Sequence, residues 1–445
     1  MAKPKPKYKS QSTWPREPSS GAGACPAALS PVLFVATSPD AGLGAPGQRL
    51  AVKDGLLLGR DPDGPGAVAV DDPRVSREHL RVVWDPAARS FRALDCDSTN
   101  GLHLNGHHAR SALLANGDVL RIGDTLLVVV ADDRMRGVQQ DIDRAARTAV
   151  TVLFMGETGT GKEVLARRLH AMSGRTGEFV AVNCAALPRE LAAAELFGHA
   201  RGAFSGARQA REGLFAAAHG GTILLDEIGD VAPEVQVALL RVLDERRVRP
   251  LGSNTDVAVD VRIVGATNRD LRSAVAEGTF RADLYARLAQ LVVQLPPLRA
   301  RRHEIAALFR SFLAEARAAP VEVPVDTMEA LLVFDWPLNV RELRSLAQAW
   351  AATAAPAADL DFESLARLRP ELGAALNRAR EQPLEPVEAG LTPAELASRR
   401  EELVAALDGA GGNITEAALR LGRPRSWVYR WLRTLDIRRD HDVRE

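Results

Sequence analysis

The chain has 445 residues, 46% apolar and 26% charged, the balance of a soluble globular protein with room for two to four domains. Its 57 basic and 57 acidic side chains cancel, so bulk charge argues neither for nor against nucleic acid, and any contact with DNA must be a local patch. The three cysteines, Cys25, Cys96 and Cys184, are widely spaced and odd in number, which excludes a disulfide framework and zinc spacing and predicts a reducing cytoplasm. No apolar run approaches the roughly 18–20 residues of a membrane span, so no membrane is expected.

Residues 1 to 28 are Lys, Pro, Ser and Gly with few apolar side chains, a composition that predicts a disordered tail. From 29 to 131 come short runs rich in Val, Leu and Ile, at Gly55–Leu58, Leu80–Trp84, Phe91–Leu94 and Thr125–Val130. Asp-Pro, Asp-Gly and Asn-Gly turns separate them, and the spacing predicts an all-β sandwich. Residues 132 to 296 alternate apolar strands with helical stretches. Strands are expected at Thr151–Met155, Thr222–Leu225 and Val261–Gly265, which predicts a parallel α/β sheet. Helical patterns fill 297 to 371, a Pro/Glu-containing linker is expected at 372–390, and 391–440 read as short helices.

Lysine occurs only at Lys3, Lys5, Lys7, Lys9, Lys53 and Lys162; every other basic site is arginine. Lys162 closes Gly156-Glu157-Thr158-Gly159-Thr160-Gly161-Lys162, between an apolar strand and the helical stretch from Glu163 to His170. That is the setting of a phosphate-cradling loop. Glycines turn backbone N–H groups toward phosphate, a helix N-terminus adds a favourable dipole, and a compact ammonium suits the β- and γ-phosphates of ATP. Glu163 stands where Ser or Thr usually holds magnesium. Downstream, Thr222-Ile-Leu-Leu-Asp226-Glu227 is a strand ending in two carboxylates. Asp226 can reach a Mg2+ shell while Glu227 polarises the attacking water. Ala266-Thr267-Asn268 ends the next strand, where Asn268 can sense the γ-phosphate.

Near the C-terminus, Gly412 to Gly422 predicts a helix capped by Thr415, a turn follows at Arg423-Pro424, and a second helix is expected from Arg425 to Leu435. Val428, Leu432 and Leu435 should pack inward, leaving Arg425, Ser426, Arg430 and Arg433 outward. This is a helix-turn-helix, whose second helix enters the major groove.

From about 135 to 360 the chain resembles the AAA+ domain of the bacterial enhancer-binding proteins, activators of RNA polymerase carrying sigma-54. The resemblance rests on Gly-Glu-Thr-Gly-Thr-Gly-Lys-Glu at 156–163, which accounts for Glu163, and on Glu195-Leu-Phe-Gly-His199 followed by Gly202-Ala-Phe-Ser-Gly-Ala207. It extends through Asp226-Glu-Ile-Gly229, Leu239-Leu-Arg-Val-Leu243, Phe280-Arg-Ala-Asp-Leu-Tyr-Ala-Arg-Leu288, Pro296-Pro-Leu-Arg299 and Trp336-Pro-Leu-Asn-Val-Arg-Glu-Leu343. It implies that Gly202, Ala203, Phe204, Ser205, Gly206 and Ala207 form the sigma-contacting loop, with Ser205 in place of the usual Thr. It also implies that Asn183 holds Glu227 idle until the γ-phosphate is read, and that Arg341 is the sensor of the helical lid. Arg281 and Arg287 would be arginine fingers acting on the neighbouring subunit's nucleotide, so the active form would be a ring, a hexamer. Leu338 replaces the family's Gly before Asn339, which predicts an altered turn.

Gly59-Arg60, Val75-Ser-Arg-Glu-His79, Asp97-Ser-Thr-Asn-Gly101, Leu104-Asn-Gly106 and Gly117-Asp118 together resemble a forkhead-associated (FHA) domain, a sandwich that binds phosphothreonine peptides. The match implies that Arg60 and Ser76 bind the phosphate, that Arg77 and Thr99 flank the peptide, and that Asn100 bonds its backbone. Gly59 and His79 would be architectural. The C-terminal segment is similar to the Fis-type DNA-binding domain. The whole reading is an FHA sandwich, then an α/β AAA+ P-loop ATPase with an α-helical lid, then an all-α helix-turn-helix. Its expected partners are phosphothreonine peptide, sigma-54 polymerase and upstream DNA.

Overall fold

A computed structural model of the chain describes residues 31–39, 46–204, 207–316, 322–353, 361–381, 393–410 and 413–421, with 423, 428 and 432. The Val/Leu-rich runs form two facing sheets. One runs in the order Arg49–Ala51, Val32–Thr37, Thr125–Val130, Val119–Ile122, Leu102–Leu104, His107–Ala109. The other runs Ala67–Ala69, Leu56–Gly59, Leu80–Asp85, Ser90–Asp95, Ser111–Leu113. Leu33, Val35, Leu58, Leu80, Leu120 and Leu127 fill the space between them, which is the sandwich the turn spacing predicts.

Thr125–Val130 does not alternate; all six residues are buried. Leu127 and Val129 join the sandwich core, while Leu126, Val128 and Val130 belong to a second apolar cluster with Ala36, Val119, Ile305, Phe309, Trp336 and Trp350. A strand covered on both faces has no polar face to show. The second cover is the helical lid, so sandwich and lid share one core. Polar contacts seal the same boundary: Arg302 donates to Gly117 O at 3.3 Å, Arg310 to Ala36 O at 3.2 Å, and Arg121 to Asp326 and Glu329 at 2.6 and 2.7 Å.

The next unit is a parallel five-stranded sheet in the order Phe179–Asn183, Thr222–Asp226, Arg262–Thr267, Val152–Met155, Leu291–Gln294. The helix Lys162–Met172 follows the Val152–Met155 strand, and Pro233–Glu245 starts with Pro at its first position, where the missing N–H costs nothing. The lid comprises helices Ile305–Ala316, Val325–Val333, Asn339–Thr353, Phe362–Leu368 and Pro370–Glu381. The last of these occupies the start of the segment expected to be a linker from 372; it buries Leu372 and Leu376, so the lid continues to Glu381.

Beyond it, helices Pro393–Gly409 and Ile414–Leu421 pack through Leu403, Ile414 and Ala418, with Val428 and Leu432 buried among them as the spacing predicts. The expected cap Thr415 is corrected: Asn413 accepts from the N–H groups of Thr415 and Glu416, because Asn413 immediately precedes the helix while Thr415 lies inside its first turn. Arg425, Ser426, Arg430 and Arg433 lie outside the described residues, as does the N-terminal tail. Among the described residues no helix is long and apolar enough to cross a membrane.

Candidate active site

The loop from Gly156 to Gly161 leaves the end of the Val152–Met155 strand and turns into a helix. Gly156, Gly159 and Gly161 adopt φ of +156°, +78° and +102°, and the last two fall where glycine is at home. Lys162 is buried and its Nζ donates to Gly156 O at 2.9 Å and Glu157 O at 3.2 Å, folded back into the loop it would serve. Burial holds its ammonium below the usual lysine value, against the opposing pull of Glu227 and Asp226. A partly desolvated cation wrapped by a glycine loop fits a polyphosphate anion. Thr160 Oγ1 donates to Glu157 O at 2.8 Å, whereas Glu163 lies on the helix surface and pairs with Arg167 at 2.7 Å.

Asp226 and Glu227 stand at the end of the adjacent Thr222–Asp226 strand. Glu227 has φ +50°, a left-handed conformation that turns its side chain sharply out of the strand. Its Oε2 accepts from Asn268 N–H at 3.3 Å, and Asn268 Nδ2 donates to Thr158 Oγ1 at 3.0 Å. One asparagine thus touches the phosphate loop and the second carboxylate. Asp226 offers a hard carboxylate oxygen beside this loop, the donor type that Mg2+ takes. Asn183 lies opposite Asp226 in the parallel pairing, and its Oδ1 accepts from Ala185 and Ala186 N–H, capping a short helical turn. In this arrangement it is not hydrogen-bonded to Glu227. Nearby, burial among Asp226, Asp230 and Glu227 pushes the Cys184 thiol up to about 12. That thiol is an inert packing group.

Besides Arg341, the lid closes on the loop through residues to which the sequence assigned no role. Asn339 is fully buried. Its Oδ1 accepts from Leu298 N–H at 2.7 Å, and its Nδ2 donates to Glu157 Oε2 and Thr158 O at 3.1 and 3.0 Å. Arg299 pairs with the Glu157 carboxylate, and the buried Arg301 donates to Thr160 O at 2.6 Å. A Cβ on Gly159 would fall 2.2 Å from Leu338 O and 3.0 Å from Arg341 Cβ, so glycine is required there and Arg341 sits over the loop. Leu338 does not distort the turn: the positive φ angles fall on Trp336 and Asn339, either side of it, and its side chain is exposed. Asn339→Ala removes a side chain that satisfies three buried or half-buried groups at a left-handed position. It is expected to destabilise the fold by about 2–4 kcal/mol and to weaken nucleotide binding. Denaturant unfolding and a nucleotide titration check this.

Arg281 and Arg287 are exposed. Arg281 grips Asp283 at 2.7 Å and Arg287 grips Asp244 at 2.7 Å. Arg281's backbone N–H is held by the buried Gln236, whose Nε2 also donates to Val231 O and Thr279 O. Gln236 is a buried contact of Arg281 that the sequence did not disclose.

The loop at 199–207 rises from a short ladder of Gly198–His199 with Arg211–Glu212. It rests on a second turn, through Ala200 N–H to Leu251 O at 2.8 Å, and a Cβ on Gly252 would come within 2.9 Å of Ala203 Cβ. Gly202 N–H reaches Ala207 O at 2.8 Å, closing the loop base, and the half-exposed Phe204 stands edge-on to His199. Ser205 and Gly206 lie outside the described residues.

On the sandwich, Arg60, Arg77, Thr99 and Asn100 are exposed around Ser76. Ser76 Oγ accepts from Thr99 N–H at 3.0 Å, and Asn100 Nδ2 donates to Arg74 O at 2.6 Å. His79 accepts from Ser76 N–H and donates to Gly101 O, and burial lowers its pKa, keeping the ring neutral as that pair of bonds requires. A Cβ on Gly59 would lie 1.8 Å from Arg77 O, so both Gly59 and His79 are structural.

Three families match the chain: the Sigma-54 interaction domain over residues 128–294, the FHA domain over 56–123 and the AAA+ ATPase lid domain over 299–381. The Transcriptional regulatory protein ZraR of Klebsiella oxytoca is 43% identical over 295 residues, covering 65% of this chain and 64% of that one. The Transcriptional regulatory protein GlrR of Escherichia coli K12 is 49% identical over 217 residues, 47% of this chain and 49% of that one. A crystal structure of NtrX from Brucella abortus in complex with ADP superposes with a TM-score of 0.51 at 33% identity, covering 70% of each chain. The chain spans about half to just under two thirds of the curated relatives it matches. It belongs to the proteins built on a sigma-54 interaction domain with a AAA+ ATPase lid, and it carries an FHA domain ahead of that domain.

Proposed function

We propose that the chain is an ATP-driven transcription activator that binds upstream DNA, assembles as a hexameric ring and remodels sigma-54 RNA polymerase to open promoters. The observation that carries this reading is the convergence of Lys162, Glu227, Asn268 and the lid's Asn339 and Arg341 on one glycine loop. Lys162 and the loop amides bind the phosphates of ATP. Glu227 accepts the proton of the attacking water, Asp226 holds Mg2+, which offsets phosphate charge when bound, and Asn268 reports the γ-phosphate to Glu227. Asn183 restrains Glu227 in a state other than the one described. Arg281 and Arg287 leave Asp283 and Asp244 to meet the neighbouring subunit's nucleotide. The Gly202–Ala207 loop, with its half-exposed Phe204, pushes on sigma-54. On a sigma-54 promoter with the holoenzyme and ATP, the chain should make melted thymines reactive to permanganate. Melting that is independent of the chain, or that never occurs, would refute the reading.

The C-terminal arginines Arg425, Arg430 and Arg433, with Ser426, read upstream DNA. Truncation after Pro386 should abolish specific footprinting and leave ATPase largely intact, and Arg425→Ala or Arg430→Ala should each cost about 1–3 kcal/mol where they read a base. Unchanged footprints from the truncated chain would remove the assignment.

The FHA domain binds phosphothreonine through Arg60 and Ser76, with Arg77, Thr99 and Asn100 along the peptide. Arg60→Ala and Ser76→Ala should each lose about 1.5–3 kcal/mol of phosphate-dependent binding, measured with one threonine peptide with and without its phosphate. Because the sandwich shares a core with the lid, bound peptide shifts ring assembly or turnover to the extent that it favours one sandwich–lid arrangement.

A further inference from the structure

Two short 3-10 turns, Leu298–Ala300 and Arg302–Glu304, are gripped from both sides, by the phosphate loop and by the sandwich. Toward the loop, Arg299 pairs with Glu157 and Arg301 donates to Thr160 O at 2.6 Å. Leu298 N–H reaches Asn339, which itself holds Glu157 and Thr158. Toward the sandwich, Arg302 donates to Gly117 O at 3.3 Å, and the ring of His303 stands edge-on to Phe34 at 5.5 Å. A Cβ on Gly117 would lie 3.5 Å from Arg299 O, so the sandwich turn touches the same stretch of chain.

The sandwich side of this contact is held in shape. Asn105 and Asp118, both buried, bond at 2.8 Å; Asp118 also accepts from Ala115 N–H and Asn105 from Val119 N–H, which fixes the turn that carries Gly117. Asp133, the cap of helix Arg134–Ala146, accepts from Arg49 of the sandwich at 2.9 Å and lies 3.9 Å from His303 Nε2. Arg302 reaches Val333 O and Asp335 of the lid as well. Short 3-10 turns carry few hydrogen bonds of their own, so outside contacts set where the 298–304 stretch lies. Arg301 and Arg302 are adjacent in the chain: one holds the phosphate loop, and the other is held by the sandwich and the lid.

We propose that the docked sandwich is a working part of the ATP site in its own subunit. Phe34 and Gly117 position the 298–304 stretch through His303 and Arg302, and that stretch positions the phosphate loop through Arg299 and Arg301. Phe34 and Arg302 are thus positioning residues for nucleotide, and the sandwich is a support of the site rather than a removable lock on it. The inference rests on the glycine loop being the ATP site and is independent of the phosphothreonine reading. Linkage makes it reciprocal: whatever favours the docked sandwich tightens nucleotide binding, and bound nucleotide favours docking by the same factor.

The test uses the full chain, a fluorescent ATP analogue and steady-state ATPase, with thermal unfolding measured in parallel. Phe34→Ala removes the ring against His303 from the sandwich side, and Arg302→Gln removes the charged bond to Gly117 O. Each should weaken analogue binding and raise KM for ATP about three- to tenfold, while kcat at saturating ATP stays within about twofold. Phe34→Leu, which keeps an apolar side chain against His303, should restore most of the affinity. Val82→Ala is the control: Val82 lies in the sandwich interior and outside the apolar cluster shared with the lid, so its loss should lower thermal stability and leave KM unchanged. If Phe34→Ala does not fold, Arg302→Gln and Phe34→Leu still decide the matter. Unchanged KM in the interface variants overturns the proposal, as does a rise in KM that Val82→Ala reproduces at equal loss of stability. Failure of the unaltered chain to bind the analogue overturns the ATP reading itself.

Discussion

Glu227→Gln should bind ATP with near-normal affinity and hydrolyse it at least about a hundredfold more slowly. The substitution keeps the shape and the bond from Asn268 N–H to the Oε atom, so the loop and the lid stay as they are. What it removes is the carboxylate that accepts the water's proton, and that group acts only in the transition state. The binding of a fluorescent nucleotide separates the two effects. Near-normal turnover would take the role from Glu227, and lost binding would make it a structural residue of the left-handed turn at φ +50°.

Arg287→Ala should lower turnover by about a thousandfold, because a finger at the γ-phosphate neutralises charge that develops only as the bond breaks. Within its own subunit Arg287 is exposed and bound to Asp244, and its effect is assigned to the nucleotide of the neighbouring subunit. Mixing supplies the decisive arm. A ring containing Arg287→Ala and Glu227→Gln subunits holds interfaces at which an intact Glu227 faces an intact Arg287, and these should regain activity that neither variant has alone. If rings form and no mixing ratio restores turnover, action in trans is wrong.

Features with a local chemical cause were legible in the sequence. Gly156 to Lys162 needs its glycines and its lone lysine wherever it stands, and an apolar strand ending in Asp226-Glu227 announces itself by pattern. Thr125–Val130 was legible as a strand but not as an interface: its unbroken apolar run has the meaning of double burial only once the lid is seen on its far side. Asn339 and Gln236 are polar residues with partners about 40 residues or more away, at Leu298, Glu157 and Thr279, and those contacts have no local mark in the sequence. Leu338 shows the converse. A missing glycine predicted an altered turn, and the left-handed conformations sit on Trp336 and Asn339 rather than on Leu338. Asn413 displaced Thr415 as cap because two capping residue types lie within three positions and sequence alone does not choose between them.

The central claim is that ATP chemistry at this loop is transmitted to sigma-54 through the Gly202–Ala207 loop. The most direct measurement mixes the full chain, sigma-54 and ADP with a metal fluoride that mimics the γ-phosphate in flight, and follows co-elution by size exclusion. The account predicts a stable complex that forms only with all three components and is lost in Phe204→Ala, a variant that should retain ATPase and ring assembly. Rings that hydrolyse ATP yet never retain sigma-54 with the analogue would contradict it.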